Sequence, residues 1–305
     1  MTEQQPETRS PGPVVVGFEG SASGEDAISL ALWLSRILGV PTAVAVVHPS
    51  PTGISMARID AGWLAERRRA AEQVLDEARK VVAASGADDE QVSFRVVASS
   101  SAAHGLHDLA EDLDAALIVV GSRGGAPPER LFAGSTADRL LSGSQWPVAV
   151  APVGMRTRRP GELTRIGVAY IETPEGAAAL KLAARLAGRV SATLRLYTVL
   201  AEEAEIMPLF IGADSEQAFT ATARDSYRLD LDAAIAGLPT GLHAGGEVLT
   251  GPVVDVLAEL DEDDVDVLFC GSRGYGPVRR ILLGGVSSRL VRKARSPVIV
   301  VPRGG

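Results

Sequence analysis

Cysteine and aromatic residues are scarce in this sequence. A single cysteine, Cys270, stands among 305 residues, so no internal disulfide framework is available and a reducing compartment is indicated. Aromatic residues make up only 4%, so the cores must be built from Val, Leu, Ile and Ala. That choice is typical of buried parallel strands covered by helices. Cys270 itself is interpreted as a small buried hydrophobe rather than as a redox switch.

Basic charge and long apolar runs are lacking as well. The chain has 30 Lys and Arg against 38 Asp and Glu, a net charge of −8 that argues against a nucleic-acid partner. The clusters 67–69 and 292–295 are interpreted as solvated faces. No run of about 18 apolar residues could span a bilayer. Residues 1–13 are polar, unlike a signal peptide. We therefore expect a cytoplasmic protein that binds neither membrane nor nucleic acid.

Catalytic motifs are absent too. The sequence contains no HExxH, no Gly-x-Ser-x-Gly elbow and no Gly-Lys-Ser/Thr of a Walker loop. His104 and His107 lie three residues apart but have no third ligand nearby, so no metal site is predicted. The acidic run 261–264 is interpreted as a solvated turn. We therefore predict no catalytic residues.

The sequence does contain an internal repeat. The tetrapeptide Gly-Ser-Arg-Gly at Gly121 recurs at Gly271, and with that shift held 13 of the 32 positions from 121 to 152 match without a gap. Chance at ordinary composition would give about two matches. The chain is therefore two copies of one domain. We predict a disordered tail over 1–13, a first domain over 14–152, a linker over 153–163 and a second domain over 164–305.

Within each copy, short apolar runs alternate with amphipathic helical segments. The predicted strands of copy one are Val14–Phe18, Ala43–Val47, Val92–Val97, Ala116–Val120 and Val148–Ala151. A long helix is predicted over 64–82, and another from about Ser135. Five strands alternating with four helices predict, in each copy, a doubly wound five-stranded parallel sheet flanked by helices, a Rossmann-like α/β fold.

A glycine-rich segment joins the fourth strand of each copy to its last helix. In copy one it reads Gly-x2-Gly-x9-Gly-Ser, with its glycines at Gly121, Gly124 and Gly134. Glycines allow close backbone approach, and free N–H groups at a helix start attract anions. In a doubly wound sheet this loop lies at the carboxyl ends of the strands. The pattern predicts a phosphate-binding loop, within which Arg123 and Arg273 face either phosphate or solvent.

The element order, this spacing and the closing Pro-Val-x-Val resemble the ATP-binding branch of the universal stress protein family over residues 14–302. The resemblance implies that Glu19 contacts the ribose, where the family usually has aspartate, and that Val46 lines the adenine pocket. It also implies that the triphosphate rests on 121–124 and 134–137. The candidate nucleotide-binding residues of copy one are Gly17, Phe18, Glu19, Val46, Val120, Gly121, Arg123, Gly124, Gly134, Ser135, Thr136 and Ala137.

Copy two departs from the family pattern at two positions. Ile171 stands where copy one has Glu19, and Gly285 stands where it has Ser135. An apolar side chain cannot accept a hydrogen bond from a ribose, so we expect ATP, with or without Mg²⁺, in copy one rather than in copy two. The candidates in copy two are Val199, Gly271, Arg273, Gly274, Gly284, Val286 and Ser287.

The resemblance also implies a function and an assembly. It implies a stress-response regulator that binds an adenine nucleotide, turns it over slowly or not at all, and acts on an unknown protein partner. A nucleotide-independent interaction scaffold and a slow ATPase stay open as alternatives. Family domains pair through their last strands, so Val148–Ala151 and Val298–Val301 are expected to pair within the chain. A homodimer of whole chains is a further hypothesis.

Overall fold

A computed structural model of the chain describes residues 12–50, 61–122, 136–158, 161–201, 213–272 and 285–302. The strands of copy one are β1 (Val14–Gly17), β2 (Thr42–Pro49), β3 (Val92–Ser99), β4 (Leu117–Gly121) and β5 (Val148–Ala151). Its helices are α1 (Ala22–Leu38), α2 (Ala61–Ser85), α3 (Ala102–Asp112) and α4 (Thr136–Gly143).

Copy two repeats this order of elements. Its strands are β6 (Arg165–Ala169), β7 (Thr193–Leu200), β8 (Ala244–Thr250), β9 (Val267–Gly271) and β10 (Val298–Val301). Its helices are α5 (Pro174–Val190), α6 (Ala213–Ala236), α7 (Val253–Glu259) and α8 (Val286–Lys293). Short 3-10 turns at Asp89–Gln91 and Met155–Thr157 complete the described elements.

The strands of each copy are parallel, and the central ones are buried on both faces, whereas the outer strands β3 and β8 are partly exposed. Copy one has the order β3-β2-β1-β4-β5, and copy two has β8-β7-β6-β9-β10. Val14, Val15 and Val16 are all fully buried because α1 and α2 cover one face of the sheet while α3 and α4 cover the other. The predicted fold class is confirmed.

The two copies join through their last strands. β5 and β10 pair antiparallel, with Val150 opposite Val298 and Val148 opposite Val300. This pairing, which the family resemblance implied, merges the two halves into one ten-stranded sheet. It covers two apolar edges that would otherwise be open to association with other chains.

Local capping sets where the first helix of each copy begins. Ser21 caps α1 by accepting the N–H of Gly24 at 3.3 Å, and Thr173 caps α5 by accepting the N–H of Gly176 at 3.0 Å. Gly39 ends α1 in the left-handed region at φ 63. These caps start α1 and α5 immediately beyond β1 and β6, so their N-termini lie at the carboxyl edge of the sheet.

The segment between the copies packs against α1. Asp26, only 2% exposed, accepts the backbone N–H groups of Gly154 at 3.0 Å and Arg156 at 2.8 Å. The Arg156 guanidinium adds a contact to the same carboxylate at 3.1 Å, and Met155 is buried. The described part of the predicted linker is therefore held against copy one.

The predicted tail lies mostly outside the described residues, which begin at residue 12. Gly12 donates its N–H to Asp114 O at 3.1 Å, and Pro13 O accepts the N–H of Ala116 at 3.0 Å.

Cys270 is buried in β9, where burial raises the pKa of its thiol to about 12. Among the described residues, no helix is long and apolar enough to cross a membrane.

Candidate functional site

The carboxyl ends of β1 and β4 lie side by side in copy one. The two strands pair from Val14 opposite Leu117 to Val16 opposite Val119. β2 lies on the other side of β1, and Ala45 O accepts the N–H of Phe18 at 2.9 Å. The chain leaves β1 toward α1 on one face of the sheet and leaves β4 toward α4 on the other. This is the topological switch point, where doubly wound sheets bind ligands.

Gly121 sits in direct contact with the first turn of α1. A Cβ atom at this position would lie 2.6 Å from the carbonyl carbon of Ser23 and would overlap its carbonyl oxygen and hydroxyl. In copy two, a Cβ at Gly271 would lie 2.8 Å from both C and Cβ of Glu175. The first glycine of each loop is therefore required for packing of the helix against the strand, in addition to any close approach of a ligand.

Glu19 is exposed at the end of β1, beside the N-terminus of α1. The Ser21 hydroxyl donates a hydrogen bond to its carboxylate. A Cβ at Gly24 would lie 3.0 Å from the second carboxylate oxygen, so the side chain folds back over the first turn of α1. The positive end of the helix dipole stabilises an acid in this place. The carboxylate is thus oriented and reachable from solvent.

Several candidates are buried around this edge. Phe18, Val46 and Val120 are each at most 5% exposed, whereas Gly17 is half-buried, with Leu106 of α3 against it. Val46 belongs to the core on the α1 side and Val120 to the core on the α3 side. Both side chains serve the core, so a ligand would meet β2 at this level through backbone groups.

The strand register shows which residue of β7 is equivalent to Val46. Val14 pairs with Thr42 in copy one and Ile166 pairs with Leu194 in copy two, so the position of Val46 corresponds to Thr198. Val199 lies one residue further and belongs to the core on the opposite face. A one-residue offset reverses the face in a strand. The Thr198 hydroxyl donates to Tyr170 O at 2.8 Å, tying β7 to the end of β6.

Most of each glycine loop, residues 123–135 and 273–284, lies outside the described residues. This applies to the candidates Arg123, Gly124, Gly134, Ser135, Arg273, Gly274 and Gly284. The structure describes their flanks. Thr136 and Ala137 are half-buried in the first turn of α4, and Val286 and Ser287 occupy the first turn of α8. The structure thus describes the strand end at which the copy-one loop begins and the first turn of the helix that follows it.

Ser122 lies within the segment 121–124, but its contacts at this edge were not predicted from the sequence. It is 6% exposed, donates its N–H to Ala151 O at 2.9 Å and accepts the Ser23 hydroxyl on its carbonyl at 3.1 Å. Its own hydroxyl donates to Val291 O of α8 at 2.9 Å. The only sequence signal was its recurrence as Ser272. Three elements therefore hold the point where the copy-one loop begins.

The corresponding edge of copy two has different side chains. Ile171 is half-buried at the position of Glu19, and Glu172 is exposed beside it. Glu175, 7% exposed, takes the place of Ser23. The Ser287 hydroxyl donates to Ser272 O at 3.4 Å, so it is directed at the strand end. In the described ranges of copy two, no carboxylate stands at the position of Glu19.

Metal-binding side chains do not cluster at either edge. The described ranges contain no group of three His, Cys, Asp or Glu residues that could hold an ion. His104 contacts Asp108 at 3.5 Å on the surface of α3, while His107 meets the edge of Trp146 with ring centroids 5.0 Å apart. These histidines therefore have neighbours on and around α3 that are unrelated to the switch point.

The geometry defines a class of protein: two fused doubly wound α/β domains joined through their last strands into one ten-stranded sheet. The model of the universal stress protein family matches residues 12–152 and 162–302. This chain belongs to the universal stress protein family. A universal stress protein of Mycobacterium tuberculosis is 30% identical over 299 residues, covering 95% of this chain and 99% of that protein.

A solved structure shows the same fold. A universal stress protein from Archaeoglobus fulgidus has a TM-score of 0.63 at 19% identity, and the match covers 96% of this chain and 97% of that protein. A universal stress protein solved in complex with cAMP matches 48% of this chain and 100% of its own, at 22% identity and a TM-score of 0.39.

Proposed function

We propose that copy one binds an adenine nucleotide, ATP, and that the protein is a stress-response regulator with slow turnover or none. The observation that carries this proposal is the position of Glu19. Its exposed carboxylate stands at the switch point, beside the paired ends of β1 and β4. A ribose and a phosphate chain need an acceptor and a set of backbone donors within one short span, and this edge supplies both.

The residues present fit such a ligand. Ser21 donates only one hydrogen bond to Glu19, and a carboxylate has about four acceptor sites, so acceptors remain for ribose hydroxyls. Ser122 holds the start of the loop while α4 starts at Thr136, where N–H groups of the first turn lack partners within the helix. A bound ATP would supply the negative charge that these donors and the helix dipole favour.

The proposal places the nucleotide in copy one rather than copy two. Ile171 offers no acceptor to a ribose, and the Ser287 hydroxyl is directed at Ser272 O. Glu175 adds a buried carboxylate at the N-terminus of α5, where copy one has the hydroxyl of Ser23. A carboxylate repels phosphate at the end of the helix that would otherwise attract it.

Slow turnover follows from the groups around the switch point. Phosphoryl transfer needs an oriented nucleophile and usually an acid that holds a metal. Within the described residues, Glu19 stands at this edge with its carboxylate oriented by Ser21, and Asp138 in the first turn of α4 is paired with Arg292. A scaffold that no longer uses nucleotide is the second candidate, favoured by Ile171 in copy two. We propose a cytoplasmic location for either.

The test is the nucleotide content and ATP affinity of the intact chain. Protein is denatured, its supernatant is analysed by ion-exchange chromatography, and ATP is titrated by calorimetry. We expect about one ATP per chain at a switch-point site. Glu19→Ala should weaken binding about tenfold or more because it removes hydrogen bonds to a charged acceptor. Glu172→Ala, at the exposed acid of copy two, is the matched control and should leave the affinity unchanged.

Two outcomes would contradict the proposal. If no nucleotide co-purifies and ATP gives no heat of binding, the nucleotide-independent interaction scaffold remains as the function. A stoichiometry of two that falls to one in Glu19→Ala would show that copy two binds nucleotide despite Ile171.

A further inference from the structure

Helices α4 and α8 meet where the two copies touch beside the candidate site. α4 follows the glycine loop of copy one, and α8 is its counterpart in copy two. Arg292, in the last turn of α8, forms an ion pair with Asp138 in the first turn of α4. The Asp138 side chain is only 18% exposed and that of Arg292 38%, so the pair is partly shielded from solvent. A cation of copy two thus holds the helix that follows the copy-one loop.

A second contact from α8 reaches the other end of the same loop. The Ser122 hydroxyl donates to Val291 O at 2.9 Å in a buried environment. Ser122 is the second residue of the loop, and Asp138 lies in the first helical turn after it. Neighbouring residues of α8, Val291 and Arg292, therefore bind both flanks of the copy-one loop.

These contacts are not mirrored by the internal symmetry. With the repeat aligned, Ser288 takes the place of Asp138 and Ser142 takes the place of Arg292, and two serines cannot form an ion pair. In the described part of the chain, the Ser272 hydroxyl forms no hydrogen bond to α4. If the repeated fold alone determined these contacts, each would occur twice, once from copy two to copy one and once in the opposite direction. Each contact occurs once because of the residues that this sequence has at these positions. In both contacts, α8 of copy two binds copy one.

We propose that Arg292 and Ser122 are positioning residues through which copy two holds the nucleotide site of copy one in its binding arrangement. The inference rests on the proposed binding of ATP in copy one. If the loop flanks can depart from that arrangement, the apparent affinity falls with the fraction of molecules that keep it. The ion pair and the hydrogen bond raise this fraction. Copy two thereby raises the affinity of copy one for ATP without binding a nucleotide itself.

The test compares ATP affinity with the stability of the ligand-free protein, using the full chain throughout. Arg292→Ala should weaken ATP binding about two- to fivefold, the range for a partly exposed ion pair. Ser122→Ala should weaken it about three- to tenfold, the range for one buried hydrogen bond. Lys293→Ala is the matched control, because Lys293 is the next residue of α8 but pairs with Asp255 inside copy two at 2.6 Å. Its affinity should equal that of the unmodified chain.

A charge exchange separates positioning from general stabilisation. Asp138→Arg and Arg292→Asp should each weaken binding, and the double variant should recover most of the loss because the pair is restored with opposite polarity. A lower melting temperature with unchanged ATP affinity in Arg292→Ala and Ser122→Ala would overturn the inference. Equal losses of ATP affinity in Arg292→Ala and Lys293→Ala would also overturn it. If the unmodified chain binds no ATP, the proposed function fails first and the inference falls with it.

Discussion

The carboxylate of Asp26 on α1 accepts the backbone N–H of Arg156 at 2.8 Å, across 130 positions of sequence. The same carboxylate accepts the N–H of Gly154 and the Arg156 guanidinium. A buried carboxylate is stable only when hydrogen bonds and opposite charge replace water, and here one backbone segment provides all of them. The segment that joins the copies is therefore fixed to the helix that opens the candidate site.

Asp26→Ala should destabilise the protein strongly. The substitution leaves two backbone N–H groups and one guanidinium without their acceptor, which we expect to lower the free energy of unfolding by about 3 kcal/mol. Urea unfolding followed by circular dichroism measures this change. Glu25→Ala is the control, since Glu25 is more exposed and contacts Arg156 only at 3.4 Å. It should cost less than about 1 kcal/mol. Equal losses in the two variants would show that the Asp26 contacts are not the cause.

Gly121→Ala should disturb both folding and the site. The added methyl group overlaps the carbonyl and hydroxyl of Ser23, so α1 or β4 must shift, at an expected cost of about 2–3 kcal/mol. Gly143→Ala is the control at the end of α4, where a Cβ meets no atom within 4 Å. It should be neutral or stabilise by about 0.5 kcal/mol. Chemical unfolding of both variants decides the matter, and a neutral Gly121→Ala would contradict the close contact.

Asp266 predicts a specific dependence of stability on pH. Burial of its carboxyl opposes ionisation, but hydrogen bonds from the Arg165 side chain and from Thr164 outweigh it and lower the pKa below 3.8. A lowered pKa in the folded state contributes stability that is fully present above the ordinary value and is lost as the pH falls through the folded value. We expect Asp266→Asn to lower the free energy of unfolding by about 1–2 kcal/mol at pH 7.

The difference between Asp266→Asn and the unmodified chain should shrink as the pH falls below 3.8, the ordinary value for this carboxyl. Urea unfolding at a series of pH values measures it. The exposed neighbour Asp263 supplies the control, and Asp263→Asn should follow the unmodified chain more closely. A difference between Asp266→Asn and the unmodified chain that stays constant from neutral to acid pH would exclude the charged hydrogen bonds as its source.

The type of each secondary-structure element could be predicted because it depends on the local spacing of apolar residues. The apolar run Val14–Phe18 and the helical spacing that follows it predicted β1 and α1 closely, and the repeat carried both to copy two. Hydrophobic periodicity does not fix the alignment of a strand between the two copies to a single residue. Val199 and Thr198 are adjacent in β7, and only the pairing of Ile166 with Leu194 shows which one corresponds to Val46.

The sequence by itself determined the duplication, the α/β class and the position of Glu19 at the end of β1, because these depend on neighbouring residues or on a repeat that can be aligned by eye. The pairing of the last strands was expected from the resemblance to the family. Only the tertiary structure decided that Ser122 bonds to Val291, that Arg292 pairs with Asp138 and that Asp26 receives the interdomain segment. Each of these contacts joins residues more than 100 positions apart, and a side chain's partner at that distance depends on how whole elements pack rather than on any local pattern.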